Sequence, residues 1–145
     1  MKTYTVTVDN NGNNAWYSNG KLHREDGPAI EYANGSKSWY INGQLHREDG
    51  PAFEYASGDR EWYIDGKRHR EDGPAIEWSN GDKAWWINGK LHRKDGPAFE
   101  YANGIKVWYL NGQRVSEQDV LNSSQTVEIE GVKYSVAQIK AALKK

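Results

Sequence analysis

Residues 28–50 read PAIEYANGSKSWYINGQLHREDG, and residues 51–73 read PAFEYASGDREWYIDGKRHREDG. The two stretches match position for position, and the match continues along the chain in both directions. Trp16, Trp39, Trp62, Trp85 and Trp108 recur at intervals of 23 residues, as do His23, His46, His69 and His92. The four prolines, Pro28, Pro51, Pro74 and Pro97, keep the same spacing inside Asp-Gly-Pro-Ala. A constant period without insertions is the signature of a tandem-repeat architecture, here with about five copies.

Each copy contains two chain-reversal signals. Asn34-Gly35 lies between β-like runs, and its equivalents are Ser57-Gly58, Asn80-Gly81 and Asn103-Gly104. Asn42-Gly43 follows the Trp strand, with Asp65-Gly66 at the same place in the next copy. Asn-Gly between alternating strands predicts a two-residue hairpin loop with positive φ at both positions. The Glu-Asp-Gly-Pro segment then makes a corner, where proline fixes φ and the Asp side chain is expected to bond backbone amides. The predicted fold is mainly β: a single-layer antiparallel sheet of 23-residue hairpins over residues 1–115, and a hairpin–helix cap over residues 116–145.

A two-residue loop at Asn34-Gly35 sets a register that distributes side chains between two faces. One face would carry Ile30, Tyr32, Lys37, Trp39 and Ile41, with Phe53, Tyr55, Trp62 and Ile64 repeating it in the next copy. The other would carry Glu31 and Tyr40, extended into a ladder of Glu31, Glu54, Glu77 and Glu100 beside Tyr40, Tyr63 and Trp86. Carried through the second turn, the register pairs His46 with Trp39 and Arg47 with Ser38. Arg24, Arg47, Arg70 and Arg93 would then neutralise the glutamates. At the chain's ends this second face turns apolar, with Val6, Val8, Ala15 and Tyr17 at one end and Ile105, Val107 and Tyr109 at the other. The N-terminal strand has its apolar side on the opposite parity from its repeat equivalents, so either a bulge shifts it or something covers that face.

Past Asn111-Gly112 the repeat stops. Ser116 with Asp119, and Ser135 with Gln138, have capping-box spacing and predict two helices, with a hairpin between them turning at Glu130-Gly131. Val136, Ile139 and Leu143 form one helical stripe, expected to fold over Ile105, Val107 and Tyr109. The alternative is that the apolar terminal patches form a homodimer interface.

Composition narrows the function. With 19 basic and 20 acidic residues the net charge is -1, which supplies no field for nucleic acid or an anionic membrane. There is no cysteine, so neither disulfides nor thiolate metal sites are expected. No apolar stretch suits a leader or a membrane span, and the expected location is the cytoplasm. The recurring His-Arg-Glu-Asp contains residue types for metal binding or acid–base chemistry. Four near-identical copies, with Lys94 replacing the glutamate in one, fit a structural role better than one catalytic constellation. No nucleophile setting or phosphate loop is present, so neither an enzyme nor a cofactor is expected. The candidate binding residues are Tyr40, Tyr63, Trp86, Arg47, Arg70, Glu54 and Glu77, with no metal site and no catalytic residues.

The run WYSNGKLH at residues 16–23 resembles MORN repeats, β-hairpins of the same 23-residue length rich in Tyr, Trp and Gly. It is more similar still to the MORN-variant repeats of bacterial antitoxin-like proteins. LHREDGPA at residues 22–29 is similar to repeats of uncharacterised bacteriophage and bacterial proteins. The resemblance covers residues 1–115. It departs from the standard repeat where Arg24, Arg47, Arg70 and Arg93 follow the histidines and where Asp-Gly-Pro is added. It implies a non-catalytic, protein-binding module, such as a phage or bacterial inhibitor of a toxin or host-defence protein. The alternative is a binder that sequesters a nucleotide-like small molecule between aromatic and arginine ladders. A third reading is a hydrolase using the His/Glu/Asp strings.

Overall fold

Two turns of different type shape every repeat. At Asn42-Gly43 both residues have positive φ, 49° and 83°, the two-residue type I′ loop expected of Asn-Gly. The computed structural model, which describes residues 2–144, has a longer loop at Asn34-Gly35. Tyr32 N–H donates to Ser36 O and Gly35 N–H to Tyr32 O, both at 2.9 Å, so three residues make the loop and only Gly35 has positive φ. The equivalent position Ser57 shows why: serine resists the left-handed region, and a three-residue loop requires that conformation only of the glycine. The loop is also tied to its neighbour. Ala33 N–H donates to Asn13 Oδ1 (2.8 Å), Ala56 N–H to Ser36 Oγ (2.9 Å), and Ser79 and Ala102 N–H to Asp59 and Asp82 (2.7 Å each).

One extra loop residue moves the register by one and exchanges faces. Ile30 opposes Ser38 and Glu31 opposes Lys37, in place of the pairing expected from a two-residue loop. Trp39 therefore shares a face with Ala29, Glu31 and Lys37, while Ile30 and Tyr32 lie with Ser38 and Tyr40. The expected grouping of tryptophans with the Ile/Phe ladder is corrected accordingly. We call these the tryptophan face and the tyrosine face.

The main sheet has twelve strands in an antiparallel meander that follows the repeat order. On its tryptophan face, successive cross-strand partners run Glu31, Lys37, Glu54, Arg60, Glu77, Lys83, Glu100 and Lys106. Glu54, Glu77 and Glu100 thus each lie between two cations, and Glu31 between Asn14 and Lys37, a favourable arrangement for directly opposed side chains. The Trp39 N–H donates to Ala52 O at 2.8 Å, a bond repeated by Trp16, Trp62 and Trp85 with the next copy's alanine. Ala29, Ala52, Ala75 and Ala98 are fully buried.

Beyond Trp39 the strand leaves the main sheet and enters a short hairpin, Tyr40–Ile41 against Gln44–Leu45. These hairpins stand in a second row. Gly43 N–H donates to Leu22 O (2.8 Å) and Arg24 N–H to Tyr40 O (3.1 Å), and later copies repeat both bonds. Hence Arg47 bonds through its backbone to Tyr63 O in the next hairpin, not to Ser38. The expected pairing of His46 with Trp39 is present, His46 N–H donating to Trp39 O at 3.0 Å.

The corner explains the invariant His-Arg-x-Asp-Gly-Pro of the four copies. The Arg47 guanidinium stacks 3.9 Å from the Trp39 ring centroid, and its Nε donates to Asp49 at 2.9 Å. Its Nη1 reaches Pro51 O (3.1 Å) and Glu54 (3.2 Å). The arginines therefore do neutralise the glutamate row. Asp49, however, accepts from Arg47, not from the backbone amides expected of it. On the guanidinium's other side a Cβ at Gly50 would come within 3.0 Å of Arg47 Cζ, so glycine is needed here for close approach.

The histidines lock one copy to the next. Nδ1 of His23, His46, His69 and His92 accepts the backbone N–H of Asn42, Asp65, Asn88 and Asn111, at 2.9–3.1 Å. Accepting that proton requires an unprotonated Nδ1. Burial lowers the His92 pKa from 6.5, and the charge of Lys94 adds to the shift. Because the folded value lies below the unfolded one, the unfolded chain takes up the proton first on acidification. The His92 contribution is thus whole above about pH 6.5 and is lost as pH falls toward the depressed folded value. Lys94→Glu should move the His92 pKa upward in an NMR titration; an unmoved pKa would exclude Lys94 as a cause.

At the N-terminus, Thr5–Val8 pairs with Asn14–Ser18 in regular register, Val6 opposite Trp16 and Thr7 opposite Ala15. No bulge shifts this strand. Val6 and Val8 occupy the places of Ala29 and Glu31 on the tryptophan face, apart from Ala15 and Tyr17, with which they were expected to lie. Both valines are exposed.

At the other end, helix α1 (Glu117–Ser124) is capped by Ser116 with Asp119, and helix α2 (Val136–Leu143) by Ser135 with Gln138, as expected. The hairpin between them joins Thr126–Ile129 to Val132–Ser135, with positive φ at Glu130 and Gly131. The tail does not cover Ile105, which is 56% exposed. Instead α1 lies over Lys106 and Trp108, where Val120 is buried. The reason is the repeat: the place of a fifth stacking arginine is Ser116, the helix cap, so α1 covers the tryptophan that no arginine covers. Val120→Ala should cost about 1–2 kcal/mol in urea unfolding. Deleting residues 116–145 should destabilise the sheet and promote association; an equally stable, soluble remainder would refute the capping role.

Candidate functional site

The tyrosine face lacks the corner segments that cover its opposite. Stacked rings run along it: Tyr32 on Phe53 (5.7 Å between centroids), Phe53 on Tyr55 (4.0 Å), and Trp78 on Phe99 (5.4 Å). Tyr55 and Tyr101 are 36% and 41% exposed, so this face presents aromatic surface to solvent. Rings of this kind combine large apolar area with few rotatable bonds, which suits them to recognition.

One charged cluster interrupts the row. Where other copies place Ala15, Ser38, Ala84 and Val107, the third places Glu61. Where the first, second and fourth place Leu22, Leu45 and Leu91, it places Arg68, as the last places Arg114, and only the third copy combines the two charges. Arg68 Nε donates to Glu61 at 3.1 Å. Tyr63 Oη donates to the same carboxylate at 2.6 Å, and Tyr55 Oη donates to its other oxygen at 3.2 Å. The Glu61 side chain is only 13% exposed, whereas that of Arg68 is 37% exposed. The Arg68 guanidinium lies 5.3 Å from the Trp86 ring centroid, and the buried Trp86 Nε1 has no hydrogen-bond partner.

Burial, then the charge of Glu61 and the hydrogen bond to it, push the Tyr55 hydroxyl up to about 12. Tyr63 is raised further by burial and by the same carboxylate. Both hydroxyls therefore stay protonated donors at neutral pH, and the arrangement holds one half-exposed cation at the centre of an aromatic surface.

The candidate residues do not form one site. Tyr40, Tyr63 and Trp86 lie on the tyrosine face, and Tyr63 and Trp86 belong to the cluster around Glu61. Arg47, Arg70, Glu54 and Glu77 lie on the tryptophan face, bound to one another at 3.2 Å (Arg47–Glu54) and 3.1 Å (Arg70–Glu77). Glu61, Arg68 and Tyr55 were absent from the expected set, although the third copy's double departure from the repeat pattern marks two of them.

Open clefts separate successive corners on the tryptophan face. That between residues 47–50 and 69–72 has a volume of about 830 Å³ and is floored by Trp62 and Ile64. Among the described residues, no three His, Asp or Glu side chains converge as a metal site would require. No helix among them is long and apolar enough to cross a membrane.

No known family model matches this chain, and no curated protein matches it.

Proposed function

We propose that the chain is a non-catalytic protein-binding repeat module of MORN-like type, which docks its partner on the tyrosine face around Arg68. The observation that carries this reading is a half-exposed aromatic row with a guanidinium held at its centre by Glu61 and two tyrosines. Aromatic and arginine anchors in a rigid frame are the elements that dominate protein interfaces. The resemblance of the repeats supports a setting in a bacterium or its phage, with a cytoplasmic toxin or host-defence protein as the partner neutralised. The nucleotide-binding alternative has less support, because Arg47 and Arg70 are engaged internally on the face away from Tyr40 and Tyr63.

Immobilised protein should capture a stoichiometric protein partner from host lysate, and the tyrosine-face variant Tyr55→Ala should retain little of it. Recovery of no such partner would refute the reading. Quenching of tryptophan fluorescence by nucleotides would favour the alternative.

A further inference from the structure

The two ends of the main sheet are treated differently. At the C-terminal end, α1 lies over the sheet face at Lys106 and Trp108, and the last strand, Gln113–Val115, carries the charge of Arg114. At the other end, Thr5–Val8 is an edge strand whose four residues are all exposed. Proteins protect such edges with lysine, proline, a bulge or a covering segment, because an open row of N–H and C=O groups is a template for another strand. Thr5-Val6-Thr7-Val8 carries none of these, and Val6 and Val8 are 51% and 69% exposed.

The geometry of this edge identifies what fits it. Asp9 N–H donates to Asn13 O at 3.1 Å. By the alternation of an antiparallel pair, Thr7 and Thr5 then turn their backbone groups toward the neighbouring strand Asn14–Ser18. The backbone groups of Val6 and Val8, and of Tyr4 if the alternation continues, point outward. A second, antiparallel copy of the same strand with the two-fold axis at Val6 meets this pattern at every position. Val6 faces the partner's Val6, and Tyr4 faces the partner's Val8, so outward-pointing groups meet outward-pointing groups. Thr5 faces the partner's Thr7 on the other side of the sheet. Thr5–Val8 carries no charge, so no like charges oppose each other in the paired strands.

We propose that two copies of the chain pair through Thr5–Val8 about this two-fold axis, continuing each twelve-stranded sheet into the other. Continuity is the argument for a second copy over an unrelated strand: the junction repeats the antiparallel pairing already present between all neighbours in the sheet, in a register that is its own complement. The interface is isologous, so it closes at two chains and leaves both helical ends outward. A junction of one short strand pair is small, and dissociation is expected on the order of tens of micromolar.

Sedimentation equilibrium of the full chain across that range should show mass rising toward twice 16.5 kDa. Val6→Pro removes an outward donor while leaving the bonds to Asn14–Ser18, and should yield a folded monomer, with circular dichroism checking the fold. Because the chain has no cysteine, Val6→Cys offers an independent readout. Hydrogen-bonded partners have Cα atoms about 5.5 Å apart, within disulfide range, so oxidation should cross-link Val6→Cys and leave Val8→Cys largely uncoupled. A mass of one chain throughout the range would overturn the proposal. So would a dimer that survives Val6→Pro, or equal cross-linking at the two positions.

Discussion

Arg70→Ala should lower the stability of the whole repeat array by about 3 kcal/mol, seen as a fall in the urea midpoint. The side chain is 22% exposed and makes four kinds of contact at once. Its guanidinium lies 4.0 Å from the Trp62 centroid, its Nε donates to Asp72 at 3.0 Å, and its Nη1 donates to Pro74 O and Glu77, both at 3.1 Å. The Asp72 contact is solvated and contributes little. Most of the loss comes from uncovering Trp62 and from leaving Glu77 with only its flanking cations. Arg70→Lys keeps the charge but neither the flat stacking surface nor the fork, so an intermediate loss is expected. Gly73→Ala should resemble Arg70→Ala, since its Cβ would stand 2.9 Å from Arg70 Cζ and push the guanidinium off Trp62. A double-mutant cycle of Arg70→Ala with Glu77→Gln isolates the pair; strict additivity would mean that the two side chains are not coupled. Because each copy contacts only its neighbours, a fault at this central junction should weaken cooperativity between the two halves as well as the midpoint.

The corner shows why parts of this fold were legible in the sequence and parts were not. The period, the type I′ turn at Asn42-Gly43, the salt link from arginine to glutamate and both helix caps follow from residue types whose local chemistry has one good solution. Asn34-Gly35 does not have one solution: the same dipeptide serves a two-residue loop or the last two places of a three-residue loop. Ser57 in the third copy favours the longer loop, but its preference is weak beside three Asn-Gly copies. A single residue of loop length then decides which face every later side chain takes, so a small local ambiguity became an exchange of whole ladders. The valines of Thr5–Val8 are a separate case: they stand at the places of Ala29 and Glu31, so their apolar side is opposite to that of Ile30 and Tyr32 whichever loop the repeats use. Glu61 and Arg68 were hidden for another reason. A repeat pattern is built by averaging over copies, and a pair of residues confined to one copy is what averaging removes.

Arg68→Leu alone should cost about 2–3 kcal/mol, whereas Glu61→Ala combined with Arg68→Leu should leave stability near that of the parent. The double variant returns the third copy to the residues of the fourth, Ala84 and Leu91, which fold there beside Trp78 and Trp86 in the places of Tyr55 and Tyr63. The single variant leaves a carboxylate that is 13% exposed without its cation, held only by the hydroxyls of Tyr55 and Tyr63. Glu61→Ala alone falls between these, because Arg68, at 37% exposure, can turn toward water. Stability and binding should therefore separate. If Glu61 and Arg68 served only the fold, the double variant would restore whatever the single ones lost. If they mark the recognition site, the double variant folds as well as the parent and loses its partner. Urea unfolding gives the first quantity, and calorimetric titration with the captured partner gives the second. A double variant with parental stability and undiminished affinity would remove the third copy from the interface and leave the aromatic row to bind alone.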